Sequence, residues 1–307
     1  MENTVFDVFS SVKNLLFLGN YDEAITENEA NDITEDESTL LIRKKFYLFM
    51  AYLEEDKQTE LNDLLQELKD SQDNSKIYFN IFRIYLVFFI KKTYKEDVLT
   101  KVYNDLIGLE KVNTFLQPAV YLISLILLQL DDRERFLNLT QLLLDDPEIL
   151  ILRIHYFLKM NKPEEAFTLV ESLNIKDSDS ISTSFCSAIV DFFKDVSVES
   201  ALKTLAEIKS NNKMTPKLFN TISVALMCNG QFKEAIKPLN LGIEACMKTG
   251  SGNYDLNCML VNLINCCRNC GLESELRDTE EKLKSLNPND LYFAKLKEFE
   301  DEFEKCA

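Results

Sequence analysis

The chain repeats one seven-residue phrase, which reads Gly19-Asn20-Tyr21-Asp22-Glu23-Ala24-Ile25 near its start and Gly230-Gln231-Phe232-Lys233-Glu234-Ala235-Ile236 in its last third. Glycine tolerates the left-handed backbone that ends many helices. An aromatic residue two places later fills a bend, and alanine five places after the glycine lets two helices approach closely. The phrase therefore predicts the bend of a helix–turn–helix pair. Its structural residues are Gly19, Tyr21, Ala24, Gly230, Phe232 and Ala235.

Two weaker copies of the phrase place Ala166 and Ala201 at the alanine position. Ala166 and Ala201 are 35 residues apart, and Ala201 and Ala235 are 34 apart. This spacing is the period of the tetratricopeptide repeat, a helix–turn–helix unit of 34 residues. The spacing predicts an all-α, tetratricopeptide-like solenoid.

Further steps of similar length place Leu61, Asp97, Arg135 and Leu276 at the same position. For the first three, the register depends on helix length and apolar periodicity, because the phrase itself is absent. We predict a single right-handed solenoid over residues 1–307, with about eight helical pairs in 1–287 and a capping helix in 288–307. Each pair in such a solenoid buries its apolar face only against its neighbours.

Composition excludes several classes of protein. Only 7 Gly and 6 Pro occur in 307 residues, whereas folds made of strands and turns need many of both. The 34 basic and 51 acidic residues give a net charge of −17, which repels nucleic-acid phosphates and anionic lipid surfaces. We therefore expect no nucleic-acid partner, and membrane contact only through another protein.

The location expected from the sequence is the cytoplasm. The eight cysteines begin only at Cys186 and include the adjacent pair Cys266 and Cys267, which is typical of a reducing compartment rather than of a disulfide framework. The segment Val112–Leu130 has no charged residue until Asp131. Because it contains Asn113, Gln117 and Pro118, we interpret it as a buried helix rather than a membrane span.

Catalytic and metal-binding patterns are weak. His155 is the only histidine, so histidine-dependent catalysis would rest on that residue alone. Cys267 and Cys270 form a CxxC pair, but a zinc site usually needs a second pair at suitable spacing. We interpret these cysteines as small helix-packing residues. The sequence predicts no enzyme, no cofactor and no metal.

The concave face of a tetratricopeptide solenoid is lined by the first helix of each pair. Read in the register above, the candidate partner-binding residues are Phe46, Phe79, Phe82, Leu86, Phe89, Val120, Leu127, Ile151 and His155. Most of them are apolar, which favours a permanent, folded partner, since obligate interfaces resemble a protein core. The alternative for any one of them is packing between neighbouring repeats.

Two stretches resemble a particular family. Val12-Lys13-Asn14 followed by Phe17-Leu18-Gly19-Asn20-Tyr21 is similar to the opening repeat of the coatomer epsilon subunit family. The end of the chain resembles the last repeat and tail of that family through Asn262-Leu263-Ile264, Pro288, Phe293, Glu298-Phe299-Glu300 and Phe303.

The resemblance implies a non-catalytic subunit of the coat on vesicles that move from the Golgi to the endoplasmic reticulum and within the Golgi. It also implies a solenoid that curls around an extension of the coatomer alpha subunit's C-terminal domain and stabilises it. The main alternative is a tetratricopeptide adaptor that binds peptides reversibly in a chaperone or another multi-subunit complex. An enzyme or a metal-dependent redox protein is the third possibility.

Overall fold

The structure is a computed structural model that describes residues 8–33, 38–71, 76–91, 93–109, 114–193, 198–249 and 253–306. Within these ranges the chain forms seventeen α-helices and two short 3₁₀ turns, and no strand. The predicted all-α fold is confirmed.

Taken in chain order, the first sixteen helices make eight successive pairs, and one further helix follows them. The bounds are α1 (Ser10–Leu18), α2 (Tyr21–Ala30), α3 (Ser38–Glu54), α4 (Gln58–Asp70), α5 (Lys76–Lys91), α6 (Glu96–Ile107), α7 (Gln117–Gln129), α8 (Arg133–Thr140), α9 (Pro147–Lys159), α10 (Pro163–Lys176), α11 (Ile181–Phe193), α12 (Val198–Asn211), α13 (Pro216–Cys228), α14 (Phe232–Thr249), α15 (Asn253–Cys270), α16 (Glu273–Leu286) and α17 (Leu291–Cys306). We call the first helix of each pair an inner helix.

Six inner helices end in the same way. A residue with left-handed backbone follows each of them, with φ between 53° and 80°: Gly19, Asp56, Asp131, Asn161, Gly230 and Gly271. The Gly19 N–H donates to the carbonyl of Leu16 at 3.1 Å, and the next N–H donates to the carbonyl of Leu15 at 2.8 Å. This double hydrogen bond satisfies carbonyls that the helix leaves free at its end. Three of the six residues are not glycine, so the turn recurs where the phrase is absent.

The turn defines the register of the repeats. The amide of the residue at the alanine position donates to the carbonyl of the residue four places before it. The residues at this position are Ala24, Leu61, Leu99, Phe136, Ala166, Ala235 and Leu276.

The registers predicted at Asp97 and Arg135 are therefore wrong, by two residues and by one. Leu99 and Phe136 are buried, whereas Arg135 forms ion pairs with Asp132 and with Glu96 of α6.

Contacts within the chain divide it into two compact units, Met1–Ser197 and Val198–Ala307. The core of the first unit extends from Phe9 to Tyr156 and is rich in aromatic residues. The core of the second unit extends from Ala235 to Leu283 on α14, α15 and α16. A single solenoid over the whole chain stays a prediction.

Helix α7 contains the described part of the segment that resembled a membrane span; residues 112 and 113 lie outside the described ranges. Its side chains from Gln117 to Ser124 are all buried except the half-buried Tyr121. Burial on several sides accounts for the mostly apolar sequence of α7. Among the described helices, none combines the length and hydropathy needed to cross a bilayer.

Candidate protein-interaction site

Four of the predicted partner-binding residues lie inside the core of the first unit. Phe46, Phe82, Val120 and Leu127 are at most 2% exposed. The Phe82 ring packs 4.5 Å from that of Phe49, and the Phe46 ring lies 5.5 Å from that of Tyr121.

These four side chains stabilise the unit and offer no open surface to a partner. The expectation that they line an open groove is corrected accordingly. An aspartate at Phe82 would place an uncompensated charge in the core, so that substitution tests folding and not binding.

The reason for this burial is that the inner helices of the first unit contact one another. Helix α1 packs against α3 and also against α11. The rings of Phe17 and Phe185 meet edge to face at 5.0 Å, and the Asn14 side-chain oxygen accepts a hydrogen bond from the Ile181 amide at 3.2 Å. Because α1 and α11 meet, the inner helices enclose their own apolar side chains.

A polar cluster sits among these apolar side chains, and we call it the Glu148 cluster. The Glu148 carboxylate accepts hydrogen bonds from the Tyr47 hydroxyl at 3.1 Å and from the Gln117 amide at 2.7 Å. Arg43 and Lys13 approach the same oxygen to 3.5 Å and 4.0 Å. One carboxylate on α9 thus connects α1, α3 and α7.

Asp146 holds the start of α9 next to this cluster. Its side chain accepts hydrogen bonds from the amides of Glu148 and Ile149 at 3.0 Å and 3.2 Å, as an N-cap does. Burial, followed by the charge of Glu148, raises the pKa of Asp146 to about 6, against the opposing effect of Arg43. The carboxyl group beside the cluster is therefore protonated over a wider pH range than an exposed aspartate.

The other predicted partner-binding residues keep some contact with solvent. Phe79, Leu86 and Phe89 are half-buried on α5, and Ile151 is half-buried on α9. His155 is exposed. Partial burial of the imidazole, followed by the charge of Lys159, lowers its pKa.

The structure gives the burial and the helix positions of the residues predicted to shape the repeat. Ala24, Ala166, Ala201 and Ala235 are buried. Tyr21 and Phe232 are the first residues of α2 and α14, and Phe232 packs against the core of the second unit.

The cysteines are mostly packing residues. Cys186, Cys246, Cys266 and Cys267 are buried free thiols, and burial raises the pKa of Cys186 to about 12. A thiol held in that state is a poor nucleophile and a poor metal ligand at neutral pH. No group of three or more His, Cys, Asp or Glu side chains is arranged for a metal ion in the described part of the chain.

One surface was not anticipated from the sequence. The two helices of the third pair diverge: α5 packs against α4 and α7, and α6 packs against α7 and α8. Between α5 and α6 lies a groove of about 1050 Å³, which we call the α5–α6 groove. Four residues separate these helices, whereas two separate α1 from α2.

A family model described as the coatomer epsilon subunit matches residues 4–307. No curated protein sequence matches the chain.

Two solved structures resemble the fold. A tetratricopeptide repeat protein from Parabacteroides merdae gives a TM-score of 0.56 at 14% identity, over 85% of this chain and 97% of that one. A Rap protein complexed with competence and sporulation factor gives a TM-score of 0.50 at 12% identity, over 94% of this chain and 79% of that one. At these identities the likeness concerns the fold alone.

Proposed function

The chain belongs to the coatomer epsilon subunit family, and we propose that it is a non-catalytic structural subunit of the coatomer coat. In this role it binds and stabilises the C-terminal domain of the coatomer alpha subunit. It acts in Golgi-to-ER retrograde transport and in transport within the Golgi. The observation that carries the proposal is the family match, which extends over every described helix.

A structural role agrees with how the first unit uses its ionisable groups. Lys13, Arg43 and Glu148 are each about one-sixth exposed, and their charges face one another. These groups connect helices and present no free nucleophile or base to a substrate. The Glu148 cluster therefore supports a rigid scaffold rather than an active site.

The proposed contact residues are the inner-helix residues that keep solvent contact. They are Phe79, Leu86, Phe89, Ile151 and His155. Apolar and aromatic anchors of this kind carry most of the binding energy in stable interfaces. With a net charge of −17, the chain gains nothing from anionic lipid, so we propose a cytoplasmic subunit that reaches Golgi membranes and coated vesicles only through the coat.

The test is co-expression of the full chain with a tagged C-terminal domain of the coatomer alpha subunit. We expect a stoichiometric complex that survives molar salt during size-exclusion chromatography with light scattering. We also expect the alpha domain to melt at a higher temperature in the complex, because a ligand of the native state stabilises it.

A pair of variants locates the contact. Ile151→Asp with His155→Asp should prevent complex formation while circular dichroism remains helical. Glu234→Lys, on the exposed face of α14, is the control and should bind normally. Weak, salt-sensitive binding of short acidic tail peptides, without a stable alpha complex, would favour the reversible adaptor instead.

A further inference from the structure

The α5–α6 groove is lined by two apolar ridges at helical spacing. Helix α5 contributes Ile77, Ile81, Ile84 and Val87, and the α6 side contributes Val98, Val102, Leu106 and Leu109. Ile81 and Leu106 are buried and form the floor. Ile77, Val87, Val98 and Leu109 are each about 40% exposed and form the rims.

The dimensions of this groove suit a helix. Ile77 and Val87 are ten residues apart on α5, and a helix rises 1.5 Å per residue, so the lined length is about 15 Å, or three helical turns. Grooves with apolar ridges of this length accept amphipathic helices that present residues at i, i+3 or i+4, and i+7. A contiguous exposed apolar surface of this kind marks an interaction site.

The charges around the groove indicate which charge a bound partner would carry. Arg83, Lys95 and Lys101 line it, and within the described residues none of the three forms an ion pair with a carboxylate. Asp97 and Asp105 also line the groove, on the side of α6. Among the described lining residues three are basic and two are acidic, which gives a net charge of +1 in a chain whose total is −17. Arg83 lies on the α5 rim and Lys95 just before α6.

We propose that the α5–α6 groove binds one amphipathic helix of another protein. The helix inserts its apolar face between the two ridges and places carboxylates against Arg83 and Lys95. This inference goes beyond the proposed binding of the coatomer alpha subunit. It concerns a different surface and does not depend on that binding.

The experiment uses the full chain and three synthetic 18-residue peptides. The first peptide has leucines at helical spacing flanked by glutamates, the second has lysines in place of the glutamates, and the third has the first composition with the leucines scattered around the helix. Binding is followed by fluorescence anisotropy at 0.15 M salt. We expect the glutamate peptide to bind at least about fivefold more tightly than the other two, because only it combines a continuous apolar face with carboxylates. The factor is small because each exposed ion pair contributes modestly.

Variants of the chain localise the binding. Val87→Glu with Val98→Glu alters both rims at exposed positions. This double variant should lower the affinity for the glutamate peptide about tenfold or more. Arg83→Glu with Lys95→Glu should reverse the preference toward the lysine peptide. Lys69→Glu, an exposed charge reversal on α4, is the matched control and should leave the preference unchanged. Circular dichroism verifies that each variant is folded.

Three outcomes of the peptide measurements would overturn the inference. They are equal binding of the glutamate and lysine peptides, equal binding of the scattered peptide, and a preference that survives the double charge reversal. Self-association of the full chain that the rim variants abolish would assign the groove to a second copy and overturn the proposed occupant. Peptide binding and the alpha-subunit complex are measured separately, so each proposal can fail without the other.

Discussion

Small residues at some of the helix crossings let the two helices of a pair approach closely. Ala235 is completely buried in the core of the second unit. In the same unit, a side chain at Gly242 would meet the Met259 sulfur at 2.5 Å and the Phe219 Cβ at 3.0 Å. The sequence pattern identifies the alanine but not the glycine, because Gly242 is in the middle of α14 and belongs to no repeated phrase.

We predict that Ala235→Leu destabilises the second unit. The larger side chain has no space at the crossing and must push α14 away from its neighbours, at a typical cost of ~1–3 kcal/mol. The measurement is the free energy of unfolding in urea. Ala206→Leu, at an exposed position of α12, should change it by less than about 0.5 kcal/mol. Equal effects of the two substitutions would show that Ala235 is not at a tight crossing.

Asp146 gives the first unit a predicted pH dependence. The pKa of its carboxyl is raised to about 6, whereas an unfolded aspartate has a pKa near ~4. Between these values the folded chain holds a proton that the unfolded chain has released, so the contribution of Asp146 to stability falls as the pH rises.

Asp146→Asn should remove this dependence and keep the cap, since an asparagine oxygen also accepts the hydrogen bonds at the start of α9. We expect the variant to gain stability relative to the natural chain as the pH rises from ~4 to ~6, on the order of 2 kcal/mol in total. Urea midpoints of both proteins across this range measure the gain. A stability difference that stays constant with pH would contradict the prediction.

At the scale of the helical pair, the left-handed turn recurs in more repeats than the sequence phrase does. Gly19 and Gly230 reveal this turn in the sequence, but Asp56 and Asp131 make it with the same double hydrogen bond. Aspartate is common in many kinds of loop, so its presence does not single out this turn. Where the phrase is absent, helix length and apolar periodicity predict the register correctly at Leu61 but miss it by one residue at Arg135.

Gly230→Ala tests the turn without a steric clash, because nothing lies within 4 Å of an added Cβ. Its φ of 71° disfavours any residue with a Cβ, and we expect a cost of ~1–2 kcal/mol in the free energy of unfolding. Gly271→Ala, which has φ 68° and the same empty surroundings, should cost a similar amount. Gly230→Asn should cost less, because asparagine visits this conformation more readily. If alanine and asparagine were equally tolerated, the turn would not constrain the repeat.

At the scale of the whole molecule, the sequence predicted the fold class and the family but not the available surface. Periodicity assigns Phe82 and Leu127 to inner helices, and they do lie there. It contains no information on whether those helices face a partner or one another. That depends on contacts such as Phe17 with Phe185, between residues far apart in the chain. The divergence of α5 and α6 also depends on contacts with other helices, so periodicity does not predict it.

The proposed complex with the coatomer alpha subunit has a predicted response to salt. An apolar interface is little screened, whereas the net charge of −17 acts over a distance on the encounter. Raising salt from 0.05 to 0.5 M should therefore slow association several-fold. The dissociation rate should rise by less than about twofold. Biolayer interferometry measures both rates. Rapid dissociation in moderate salt would show that ion pairs hold the complex.

The meeting of α1 with α11 also affects how the protein is made. Asn14 and Ile181 are 167 residues apart, and ribosomes add about 5–20 residues each second. The first helix is therefore synthesised on the order of 10–30 s before its partner exists. During that interval Phe17 lacks the ring that later covers it, so we expect the nascent chain to expose an apolar segment of the kind that chaperones bind. We therefore expect the yield of native protein to depend on the rate of translation as well as on the stability of the finished fold.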